Sequence, residues 1–149
     1  MDNKKKLALA KEAQRRKKLV QYEEDFEQFS KEQIKILTKD SSKGFVPFEF
    51  NDAQKIVNEK IAKQLKETGR VRAIILKGRQ MGLSTFTTAR VFWKSYFNAY
   101  NKSVVMAHDS ATSDSLFTMS RNTIANMPEE FRPVFKKSNA KEIMFEHNE

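Results

Sequence analysis

The run Lys77-Gly-Arg-Gln-Met-Gly-Leu-Ser-Thr85 collects the groups that phosphate binding needs. Gly78 and Gly82 permit positive φ and let a backbone come close to an anion. Successive N–H groups in such a turn point inward as a nest. A helix that follows adds its unpaired N–H groups and the positive end of its dipole. Ser84, followed by Thr85, stands where a hydroxyl ligates Mg2+. The usual pattern G-x-x-x-x-G-K-[ST] puts lysine just before that hydroxyl, and this chain has Leu83 there. Two cations are placed to substitute. Lys77 would reach back over the loop as a point charge, and Arg79 would make forked contacts to phosphate oxygens. A glycine pair in a strand-to-helix turn also serves as a plain tight connection.

The elements that must carry this loop can be read on either side. Val71 to Lys77 is a short β-branched, apolar run and predicts a strand. Residues 84–99 predict a helix with Phe86, Ala89, Phe92, Trp93 and Phe97 as a broad apolar face. Its aromatic residues, Tyr96 and Tyr100 included, suit packing of the helix on a sheet better than stacking on bases. Residues 52–67 predict a helix that Thr68-Gly69 ends. Asn51 suits its N-cap, and Gln54 three residues later completes a capping box. Residues 103–107 predict a second buried strand, 111–126 a helix, and Lys141 to His147 a third strand. This β-α-β-α-β order predicts an α/β fold with a largely parallel sheet and the loop at the carboxyl ends of its strands. Residues 1–40 lack glycine and proline and predict a charged helical arm. Phe26, Phe29, Ile34 and Leu37 form a partial apolar stripe along it. Asp40-Ser-Ser-Lys-Gly44 is the clearest linker, and Phe45 to Phe50 is extended around Pro47.

Leu76-Lys-Gly-Arg-Gln-Met-Gly-Leu-Ser-Thr85 resembles the deviant Walker A segment of bacteriophage terminase large subunits, the ATP-driven motors that package DNA into procapsids. That family shows an Arg-Gln pair, a variable residue, a glycine and then Ser/Thr, and some members carry the lysine at the front of the loop. Phe45-Val-Pro-Phe-Glu-Phe-Asn-Asp-Ala-Gln54 is similar to the family's upstream segment, whose glutamine lies near adenine. Ser103-Val-Val-Met-Ala-His108 looks like its second core strand. The resemblance covers about residues 45–149. It implies a partial P-loop NTPase of the ASCE type, with a parallel sheet flanked by helices. A basic helical arm over 1–40 would precede an ATPase portion over 45–149. It implies ATP and Mg2+ as cofactors, with Lys77 and Arg79 acting on the β- and γ-phosphates. Gln54, Gly78, Gln80, Met81, Gly82, Leu83, Ser84 and Thr85 would contact the nucleotide, and the Ser84 hydroxyl would ligate Mg2+. The amide of Gln54 would read the adenine edge, a role compatible with capping.

The implied partners are double-stranded DNA, a portal, a small terminase subunit and further copies in a ring. The implied location is host cytoplasm, at the procapsid portal during packaging. An apolar strand ending in Asp-Glu is absent from the sequence. Asp109 comes too early and lacks the following Glu. Glu146 and Glu149 do not match the context, and no nuclease carboxylate cluster follows. The expectation is the front of a motor that stops before its catalytic acids, with weak nucleotide binding, little or no hydrolysis alone, and an exposed sheet edge.

Composition sets outer bounds. The 149 residues suffice for one domain with a real core, and the net charge of +9 suits a polyanionic partner. Zero cysteines exclude disulfides, cysteine zinc sites and thiol nucleophiles. His108 and His147 lack metal-ligand spacing. No apolar run approaches the ~20 residues of a membrane helix, and no apolar signal core follows the basic N-terminus, so an intracellular protein is expected. The second functional class is a non-catalytic nucleic-acid-binding or adaptor protein. Its arm of Lys4, Lys5, Lys6, Lys11, Arg15, Arg16, Lys17 and Lys18 would bind by counterion release. The same charges also suit a merely solvated helix. A helicase-like fragment is a third, weaker reading, and the Arg-Gln pair with Leu83 argues against it.

Overall fold

The computed structural model describes residues 3–38, 42, 44–138 and 142–146. Five α-helices dominate: α1 (Asn3–Glu24), α2 (Phe26–Gln33), α3 (Asp52–Thr68), α4 (Leu83–Phe97) and α5 (Ser110–Asn126). A 3-10 turn, Glu129–Phe131, follows α5. The expected long arm is divided at Asp25. Its backbone leaves the helical region, and its side chain accepts from the Gln28 N–H at 2.9 Å. That bond caps α2. Helix ends at Gln33, because Lys35–Leu37 forms β1 and pairs antiparallel with β2, Phe45–Pro47. The linker residues 40, 41 and 43 lie outside the described residues.

The expectation of a parallel P-loop NTPase sheet is overturned. Among the described residues the strands make two small antiparallel hairpins, β1–β2 and β3 (Phe135–Ser138) with β4 (Ile143–Phe145). Residues 71–77 and 103–107 are neither helix nor strand. An isolated strand is unstable without a hydrogen-bonded neighbour and a covered face, and these segments have found other partners. The Arg72 N–H donates to Gln64 Oε1 at 2.9 Å, and Gln64 Nε2 donates to the Arg72 carbonyl at 3.3 Å. A glutamine side chain of α3 thus takes the place of a strand at the start of the first segment. The Ser103 hydroxyl pairs with that of Ser95 on α4 at 3.0 Å at the start of the second. The expected third strand does form over Ile143–Phe145, but as half of a hairpin. Residues 141 and 147 lie outside the described residues.

Aromatic rings build the core. Tyr22 of α1, Phe26 and Phe29 of α2, Phe48, Phe50, Phe86, Phe92, Trp93, Phe131 and Phe145 belong to one buried cluster. The end of the N-terminal arm therefore packs with the later helices. Phe26 lies 5.3 Å from the Trp93 ring and 5.6 Å from Phe86, centre to centre. Phe29 meets Tyr22 and Phe97 edge-on at 5.7 and 5.5 Å. These separations suit the attraction between ring edges and faces. The polar ends of the rings are satisfied too: Trp93 Nε1 donates to the Tyr22 carbonyl and Tyr96 OH to that of Phe131, both at 2.7 Å. The aromatic face of α4 is thus a packing face, as expected. Its partners are mainly helix α2 and the aromatic segments around it rather than a sheet. Tyr100 stands apart, exposed and at φ 61°. No helix among the described residues is long and apolar enough to cross a membrane.

Candidate phosphate-binding loop

Lys77 to Gly82 forms an irregular turn that delivers the chain into α4. Gly82 is the N-cap of that helix at φ 68° and ψ 10°, and no side chain caps the first N–H groups. Those donors, on Leu83, Ser84 and Thr85, have no carbonyl within the helix to receive them. Lys77, Arg79, Met81 and Ser84 are exposed, and Thr85 is half-buried. Leu83 is buried in the core. The position where the usual motif has its lysine therefore anchors the helix with its side chain, leaving only its backbone N–H to the loop.

The two glycines have different reasons. A Cβ on Gly82 would lie 2.7 Å from Gln54 Nε2, and its φ of +68° is left-handed, so no other residue fits without strain. A Cβ on Gly78 would meet nothing nearer than Met81 Sδ at 3.8 Å. The second left-handed residue of the turn is Gln80, at φ 64°. Gly78 is thus free of the constraint that the motif suggests.

Gln54 lies beneath the loop and is 3% exposed. It completes the expected capping box: Gln54 N–H donates to Asn51 Oδ1 and Asn51 N–H to Gln54 Oε1, each at 3.0 Å. Its remaining amide nitrogen donates to the Gly82 carbonyl at 2.9 Å. Each end of the amide thus makes one bond within the protein, and one N–H and one oxygen lone pair remain beyond those two bonds. Asn51 Nδ2 adds a bond to the Met81 carbonyl at 3.3 Å. Sequence reasoning found the capping box through its spacing. It missed the crossing from α3 to the loop, which no local pattern encodes.

A recess of about 240 Å³ adjoins the loop at Thr85. It lies between the β1–β2 hairpin, α4 and α5, with Ile36, Ala89 and Phe92 as apolar lining and Thr88, Ser115 and Thr118 as polar lining. Asp109 caps α5, taking the Thr112 N–H at 2.8 Å and the Thr112 hydroxyl at 2.7 Å. These bonds hold its carboxyl below the usual range. His108 Nε2 lies 2.7 Å from the same carboxylate, in an exposed pair. Among the described residues no group of three or more His, Asp or Glu is placed to hold a metal ion. Glu149 and His147 lie outside the described residues. No family model matches this chain, and no curated protein sequence does.

Proposed function

We propose that the Lys77–Thr85 loop binds the phosphates of ATP, and that the chain is the nucleotide-binding part of a DNA-packaging protein of the terminase large-subunit kind. The observation that carries the reading is the uncapped N-terminus of α4 behind a turn with two left-handed residues, flanked by Lys77 and Arg79. Such a terminus attracts anions through free N–H groups and the helix dipole. Lys77 and Arg79 contribute cations outside the helix. Ser84 offers one neutral oxygen, and no acidic cluster accompanies it among the described residues. Mg2+ would therefore arrive with the nucleotide and keep mostly phosphate and water oxygens, a habit of this ion. Double-stranded DNA, a portal, a small subunit and ring-forming copies in a host cytoplasm belong to this reading through the resemblance alone.

The test is equilibrium binding of a fluorescent ATP analogue, with and without Mg2+, to the wild type and to Lys77→Ala and Arg79→Ala. Saturable binding that weakens about tenfold or more in each variant is expected, the size of a lost charge-assisted contact. Absence of saturable binding, or equal affinity in all three, overturns the reading.

A nucleotide-independent DNA-binding role is the second reading, and the exposure of α1 favours it. Lys5, Lys6, Lys11 and Lys17 are all exposed along this 22-residue helix. Arg16 is partly neutralised by Glu12 at 3.1 Å. Under this reading, DNA affinity falls steeply with salt and is the same with and without ATP.

A further inference from the structure

We infer that Asn51 and Gln54 are positioning residues whose amide nitrogens fix the orientation of the loop's peptide planes; this deepens the phosphate reading of the loop and rests on it for the ligand. A trans peptide is planar, with its C=O and N–H pointing in opposite directions. The Met81 carbonyl shares a plane with the Gly82 N–H, and the Gly82 carbonyl with the Leu83 N–H. Asn51 Nδ2 holds the first carbonyl at 3.3 Å and Gln54 Nε2 the second at 2.9 Å, both toward α3. The Gly82 and Leu83 N–H groups must then point away from α3. Without the latch the Met81–Gly82 plane can rotate and present a carbonyl oxygen to an anion, and the Gly82–Leu83 plane is held by the Phe86 N–H alone.

The latch is well supported from below. Gln54 is buried, and its position is fixed by the reciprocal bonds of the capping box. The Gly82 carbonyl also receives the Phe86 N–H at 3.0 Å, the first bond of α4. One oxygen thus joins the start of α4 to the start of α3. The close approach at Gly82 follows from the same contact, since a Cβ there would displace the Gln54 nitrogen.

Two single-atom exchanges separate the latch from the cap. Gln54→Glu keeps the oxygen that accepts from the Asn51 N–H, and Glu is an ordinary residue at that place in a capping box. Asn51→Asp keeps the oxygen that accepts from the Gln54 N–H. Each replaces the donor to the loop with an oxygen that is charged when ionised, so charge repulsion adds to the loss of Mg-ATP affinity and Phe86 protection is the readout of the latch itself. The readouts are amide exchange at Phe86 by NMR in the free protein, and binding of Mg-ATP, both followed from pH 7 to pH 4.

At pH 7 both variants should exchange at Phe86 about tenfold faster and bind Mg-ATP at least tenfold more weakly, the fold-change of a lost hydrogen bond. As pH falls through the titration of the introduced carboxyl, which burial at position 54 raises above the ordinary Glu value, the protonated group donates again and Phe86 protection returns toward wild type. Wild-type protection and affinity at pH 7 would overturn the latch. So would a loss that stays the same at every pH, which marks a merely disturbed fold. If protection changes as expected but the wild type binds no Mg-ATP, the latch stands and the nucleotide reading fails. If the wild type binds and the variants match it, the latch alone fails.

Discussion

Phe29 and Ile74 are both large apolar residues, yet Phe29 is 0% exposed and Ile74 is 102% exposed. The contrast extends to their surroundings. Phe29 sits among Tyr22, Phe92, Tyr96 and Phe97. Leu76, Val104 and Met106 share the fate of Ile74. A helical aromatic face needs only other helices to cover it, and α2 and α4 supply each other. A β-branched run needs a hydrogen-bonded strand on at least one side and a layer over its face. Residues 71–77 and 103–107 have neither among the described residues. The strongest break of the comparison is therefore Phe29→Ala. It should destabilise the fold by about 3–5 kcal/mol, the range for emptying an aromatic core site, as read from urea unfolding. A loss under about 1 kcal/mol would mean the aromatic cluster is not the folding core.

What the sequence made legible follows the same division. The limits of α3 were readable, because Asn51, Gln54 and Gly69 act locally: two cap the start, and Gly69 at φ 68° closes the end. The extent of α5 was readable to within a residue, although the capping role of Asp109 was not read from the sequence. The aromatic face of α4 was readable from spacing. The parallel sheet was not, because hydrophobicity at residues 71–77 says that a strand would suit them but not that a neighbouring strand is present. The break at Asp25 and the turn into β1 were also hidden, since Phe26, Phe29, Ile34 and Leu37 fit one helical stripe equally well. At the loop, the glycines, hydroxyls and cations were legible. The commitment of Gln54 to the Gly82 carbonyl was not, because it depends on how α3 and α4 meet 28 residues apart.

A smaller effect tests how the aromatic region joins its polar edge. Tyr22 donates to Glu32 Oε2 at 2.6 Å, and Gln28 and Lys18 contact the same carboxylate at 3.0 and 3.3 Å. The Tyr22 hydrogen bond first, then that of Gln28, holds the Glu32 carboxyl below its usual range. A carboxyl depressed in the folded state stabilises the fold above its unfolded value, about 4.3. That contribution is lost as pH falls through the folded value. Glu32→Gln should therefore lower stability at pH 7 and flatten the loss between pH 5 and the acid limit. The partly solvated site keeps the change under about 1 kcal/mol. Thermal unfolding across that range checks it, and parallel curves for the two proteins would remove Glu32 from the account.

The smallest expected effect on stability comes from the other region. Ile74→Ser combined with Leu76→Ser removes two side chains that are 102% and 101% exposed. Nothing in the fold loses a buried contact, so urea unfolding should shift by no more than about 0.5 kcal/mol, as for ordinary surface changes. Self-association should respond in the opposite proportion. Unpaired backbone and apolar side chains together form an adhesive edge, and serine removes the apolar part while leaving the backbone unchanged. Light scattering at rising concentration should therefore fall markedly in the double variant. A destabilisation near 2 kcal/mol would show instead that Ile74 and Leu76 are covered in solution. The contrast with Phe29 would then vanish, and the segment would have to be reassigned to the core.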